Sequence, residues 1–182
     1  VHLLNECGAD RSGIYDEGLV NFFLDDLFAF EAVVAVPSAA VQQRMIAALE
    51  GPTATALHQS AYSLIANPFS TRYQNSNQWL LEVLATALPS ETTVKTRAQA
   101  QALLALRGFE PDEIRVGGLQ RLGASLTRAN VRFDDHDETE SAAGRYRAVT
   151  VRSLIRFLRQ VDTVAQPMVI GLQGEPQPTT RY

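Results

Sequence analysis

The sequence predicts an α+β fold, a buried helix packed on a mostly antiparallel sheet, and three observations support that reading. Short β-branched or apolar runs, "VHLLN" and "FEAVVAVP", are bounded by Gly, Asp and Pro, the punctuation of strands. The stretch "SNQWLLEVLATAL" places Trp79, Leu80, Leu81, Val83, Leu84, Ala87 and Leu88 against only Glu82 and Thr86, the pattern of a helix covered on most sides. Finally, "GRYRAVTVRSLIRFLRQV" changes from period two to helical spacing near Thr150, as a strand running straight into a helix would.

Taken in order, "VHLLN" is the first strand and the Gly- and Asp-punctuated "GADRSGIYDEG" a turn region. In "GLVNFFLDDLF", Leu19, Phe22, Phe23 and Leu27 recur at helical spacings, so a short helix or turn is expected on the core. Pro37 closes the strand "FEAVVAVP", and Ser38 is a good N-cap for "AAVQQRMIAALEG", which stops at Gly51. Pro68 prevents a continuous helix through "ALHQSAYSLIANPFSTRYQNSN", which reads as an ordered loop region. Thr93 to Arg107 reads as an amphipathic helix ended by Gly108. "DEIRVGG" reads as a short strand, and "LQRLGASLTRANVRF" fits either helix or mixed structure. Residues 1–162 form one expected domain. Residues 163–182, with Pro167, Pro176 and Pro178, are expected to be a loosely ordered tail in which "PMVIGL" adds an edge strand.

Composition excludes several classes. The 182 residues are 46% hydrophobic and 20% charged with a net charge of −4, enough apolar material for one well-buried domain. The basic residues are scattered, so the counterion-releasing stripe of a nucleic-acid binder is missing. No apolar run approaches the roughly 20 residues that span a bilayer. A single cysteine, Cys7, excludes an internal disulfide or a cysteine-based zinc site, and it is expected as a small core residue. "FDDHDETE" lacks the glycine and ligand spacing of a calcium loop and reads as a solvated acidic loop. "VGGLQRLG" lacks the lysine and spacing of a phosphate-binding loop. Neither a metal nor a cofactor is expected.

The chemistry-bearing segment is "RYQNSNQWLLEVLA", a polar knot at the mouth of a buried helix. Asn75 stands three residues before Gln78, the spacing of a capping box, which puts Ser76 at the first helical position. Unpaired amides and partial positive charge collect there and stabilise an anion or an oxyanion. The cap reading accounts for Asn75 and Ser76 unaided. The functional reading adds Tyr73, Gln74, Asn75, Asn77 and His58 as ligand-binding residues, with His58 in the polar loop upstream. His2, on an apolar strand, is either a hydrogen-bonded core histidine or a catalytic one.

The blocks "VHLLNECG", "GLVNFF", "NPFSTRYQNSNQWLLEVLA", "LRGFEPDEI", "FDDH" and "RYRAVTVRSLIRFL" together resemble the exported bacterial family called domain of unknown function 2145. More distantly, the chain is similar to circularly permuted members of the papain-like NlpC/P60 superfamily. The resemblance implies a papain-like fold, a periplasmic or secreted location, and Ser76 where that superfamily carries its nucleophilic cysteine. It implies that the superfamily's histidine would lie upstream of Val1, and that His2 or Asn5 takes the polar orienting position. Because the chain opens on an apolar strand without Met, Val1 is read as a cut point, with association expected through the exposed strand Val1 to Asn5. The function this implies is a catalytically weak or inactive domain that binds a small-molecule or peptide ligand: a peptide, a cell-wall fragment or an acyl group. The alternatives are a hydrolase or acyltransferase with Ser76 as nucleophile, and a purely structural or partner-binding domain. An imidazole within about 3 Å of the Ser76 hydroxyl would favour the enzyme.

Overall fold

Turn and cap chemistry decides where the elements begin and end. The computed structural model describes residues 1–18, 31–117, 129–171 and 176–179; "LVNFFLDDLF" and most of "LQRLGASLTRANVRF" lie outside them. Strands β1 (His2–Asn5) and β2 (Ser12–Tyr15) form an antiparallel hairpin with His2 opposite Tyr15. Its turn uses Gly8 at a φ of 72°, a conformation glycine adopts without steric cost. The Asn5 side-chain amide pins that turn by donating to the carbonyls of Ala9 and Arg11 at 2.9 and 2.8 Å. Cys7 lies in this turn and is exposed, which corrects the expected core position: a side chain in a protruding turn has no apolar layer to enter.

After β3 (Glu31–Ala35), helix α1 (Ala39–Glu50) starts behind Ser38. The Ser38 side chain does not cap it; instead, the Ser38 amide donates to Asp162 Oδ2 at 2.7 Å, a partner from the far end of the chain. A short α2 (Thr53–Ala56) leads into the irregular segment, and α3 (Ser76–Ala87) is the predicted buried helix. Half of its capping box forms. Asn75 accepts from the Gln78 amide at 2.8 Å, while the Gln78 side chain turns away to the carbonyls of Asn67 and Pro68. Helix α4 (Arg97–Leu106) begins later than expected because Thr96 and Gln99 make a complete capping box, and Gly108, at a φ of 74°, ends it. Then come β4 (Asp112–Arg115), α5 (Glu138–Ala142), β5 (Arg145–Ala148), α6 (Val151–Val161), β6 (Pro167–Gly171) and β7 (Gln177–Pro178). Thr150 caps α6 through a second box with Ser153, at the predicted change of period.

The fold is α+β, and every strand pairing among the described residues is antiparallel. The single expected sheet is replaced, among the described residues, by three: β1-β2, β3-β6-β7 and β4-β5. The strands are short, and helices separate β3 from β4 and β5 from β6, so each pairs with whatever strand the helices bring beside it. Strand β6, from the expected tail, is the middle strand of its sheet and not an edge. Its apolar run outweighs the flanking prolines, which stand at the ends of β6 and β7, where a missing amide costs least.

Helix α3 supplies both hydrophobic clusters. Leu81, Leu84, Ala85 and Leu88 pack with Leu104, Phe109, Phe157 and Leu158, while Trp79 and Val83 pack with Leu3, Ala54, Leu57 and Tyr62. Phe109 meets Phe157 edge-on at a centroid distance of 5.5 Å. Because Leu84 is 2% exposed, Leu84→Ala is expected to destabilise the fold by about 2 to 5 kcal/mol in a denaturant titration. A loss under about 1 kcal/mol would mean that this face of α3 is not packed.

Candidate functional site

The irregular segment between α2 and α3 is held by one buried carboxylate. Glu82, fully buried in the middle of α3, accepts from Arg97 Nε at 2.8 Å and Arg97 Nη2 at 3.0 Å. The side-chain amides of Gln74 and Gln101 donate to it at 2.7 and 2.9 Å. The guanidinium also reaches the carbonyls of Thr71 and Tyr73 at 2.8 and 3.0 Å. Gln74 continues the network, donating to the Leu57 carbonyl and accepting from the Gln59 amide. Burial pushes the Glu82 carboxyl above its usual range, and Arg97, Gln101 and Gln74 pull it back. A loop without regular hydrogen bonding thereby has its buried backbone groups satisfied by side chains.

That loop delivers the helix mouth. A bridge between Tyr62 and Gln74 sets Tyr62 under Ser76. Burial raises the pKa of the Tyr62 hydroxyl, with the nearby Ser76 opposing the shift, so it remains a protonated phenol at neutral pH. The Gln78 amide is occupied by Asn75. Ser76 nonetheless faces a groove of about 470 Å³, shared with Asn77, Trp79 and Leu80 of α3, His2 and Leu3 of β1, and Glu17. His2 Nε2 lies 3.5 Å from Glu17 Oε2, and the imidazole meets the Tyr15 ring edge-on.

The groove therefore brings Ser76, His2 and Asn77 together, and the other predicted residues lie elsewhere. Gln74 and Asn75 are buried, Gln74 on Glu82 and Asn75 on the carbonyls of Leu64 and Val149. Tyr73 turns outward, its hydroxyl donating to Asp134 while the Arg72 guanidinium lies over its ring. His58 pairs with another serine, its Nε2 3.2 Å from Ser12 Oγ. Sequence reasoning missed Tyr62, Glu17, Glu82 and Arg97. Glu82 was the readable one, because a carboxylate on a helix covered all round demands a buried cation. Tyr62 gives no local signal, since only the fold places it under the helix.

The acidic stretch needs a correction. The side chains of Asp135 and His136 are fully buried, unlike those of a solvated loop. Asp135 accepts from the Asn67 amide at 2.9 Å, and His136 Nε2 lies 2.7 Å from the Ile65 carbonyl, so this pair clamps the irregular segment from the other side. No cluster of three metal-ligating side chains occurs among the described residues.

Burial and the nearby Arg97 charge lower the His58 pKa, with the Ser12 contact opposing them. On acidification the unfolded chain takes up its proton first, near the ordinary imidazole value of about 6.5. Stability contributed by neutral His58 is therefore present above that pH and is lost as pH falls toward the lower folded value. His58→Gln is expected to flatten the fall in melting temperature between about pH 7 and pH 5. An unchanged slope would contradict this.

Comparison with known proteins adds the lineage. No curated protein and no solved structure matches the chain. In the described residues, no helix is long and apolar enough to cross a membrane. The model of one bacterial family, described as "Uncharacterized protein conserved in bacteria (DUF2145)", matches residues 1–158. The match covers most of the chain, which belongs to that family.

Proposed function

We propose that this protein is a binding domain whose ligand, a peptide, cell-wall fragment or acyl compound, lies in the groove between β1 and the mouth of α3. Ser76 and His2 offer it hydrogen bonds over an apolar floor of Leu3, Trp79 and Leu80. The observation that carries this reading is the side-chain cap already made at the helix mouth. With Asn75 on the Gln78 amide, a donor that would hold an oxyanion is already paired. His58 and His136 are engaged elsewhere, with Ser12 and the Ile65 carbonyl, so neither gives Ser76 the base that a nucleophile needs. The hydrolase or acyltransferase remains the second reading because His2 and Glu17, an imidazole beside a carboxylate, share the groove with Ser76. The kinship to permuted papain-like NlpC/P60 domains, and with it a periplasmic or secreted location, belongs to this proposal. It rests on β1, the strand given the polar orienting residue, standing before a buried helix that opens at position 76.

Two probes test the proposal. In a Cys7→Ser background, which removes the exposed native thiol, Ser76→Cys is expected to react with iodoacetamide in the native state and to change the emission of Trp79, the sole tryptophan. A thiol protected until unfolding would remove the groove from consideration. A fluorophosphonate, which captures activated serines, is expected to leave Ser76 unlabelled. Labelling of Ser76 that disappears in His2→Ala would replace the binding reading with the hydrolase.

A further inference from the structure

A second groove, of about 600 Å³, adjoins the first. It lies between β3 and helices α1, α3 and α6, lined by Val33, Val34, Met45, Ile46, Leu154 and Ile155 among others. Asn77 and Leu80 line both grooves, so the first turn of α3 is a sill between them. The polar side chains in the second groove are already engaged: Gln42 donates to the Pro37 carbonyl and Asn77 to that of Val149. An occupant with amides or hydroxyls of its own would leave them unpaired, whereas an aliphatic chain gives up only water contact. The described side chains of the two grooves include one carboxylate, Glu17, and no lysine. In the first groove Glu17 Oε2 lies 3.5 Å from His2 Nε2, and Trp79 also lines the groove.

From this continuity and charge we infer that the ligand is a single-chain amphiphile with an ammonium head. The head sits by Glu17 and Trp79, and the aliphatic tail crosses Leu80 into the groove beside β3. A carboxylate favours a cationic head over an anionic one. The inference rests on the groove at Ser76 being the ligand site, and it narrows that reading to one chemical class.

The test is a titration of the whole chain with n-alkylammonium ions from hexyl to dodecyl, and with the matching alkanoates, below micelle formation, followed by Trp79 emission and by calorimetry. Affinity for the ammonium series is expected to rise about fourfold per added methylene. Replacing two half-exposed lining residues, Ile46→Gln with Val151→Gln, is expected to shrink that increment without unfolding the chain. Glu17→Gln is expected to lower the preference for ammonium over carboxylate by roughly fivefold. A chain-length series that is flat, or indifferent to the Ile46 and Val151 changes, overturns the tail assignment. Alkanoates that bind as tightly as the amines overturn the head assignment. No binding at all, while the thiol at position 76 stays reactive, rejects the amphiphile and leaves the groove reading standing; this is also the outcome if the chain itself closes the second groove. A protected thiol at position 76 defeats both.

Discussion

The fold depends on the ion pair between Glu82 and Arg97, fully buried on one side and nearly so on the other. Desolvating two charges is costly, and such a pair gives little net stability beside well-packed apolar residues. Its contribution is placement. Arg97 is on α4 and Glu82 on α3, and between them they gather the carbonyls of Thr71 and Tyr73, the side chains of Gln74 and Gln101, and through Gln74 the backbone of Leu57 and Gln59. Apart from Gln101 on α4, these groups belong to a segment with too few backbone bonds of its own to be buried. Removing either charge would leave the other unpaired in the interior, a loss of about 3 to 5 kcal/mol.

Everything at the helix mouth follows from that placement. The segment that Glu82 holds also carries Asn75 to the Gln78 amide. The cap that makes a stable helix start therefore takes up a donor that an acyl-transfer site would need. What is left facing solvent is a groove with an apolar floor, one hydroxyl, an imidazole and a carboxylate, a composition suited to recognition.

The architecture was legible where local chemistry determines it. The cap at Asn75, the stop at Gly108 and the change of period at Thr150 each depend on residues within one turn of the chain, and each stands where expected. Sheet membership was not legible, because β6 is central only by virtue of β3, more than a hundred residues earlier. The site was readable in part. Ser76, Asn77 and His2 share a groove, but Gln74 and Asn75 read as ligand contacts only until the partners of Glu82 and the cap are in view. Asp135 and His136 sat in a run of acids whose composition suggests solvent, and their burial is set by the backbone of Asn67 and Ile65 from another segment.

Native-state hydrogen exchange of a Glu82→Gln variant tests the central claim most directly, since the substitution keeps the shape of the side chain and removes its charge. If the ion pair places the loop, amide protection across residues 57–75 falls by about tenfold or more, while β4, β5 and α6 retain most of theirs. Wild-type protection of that segment, or a loss spread evenly over the whole chain, would contradict the account.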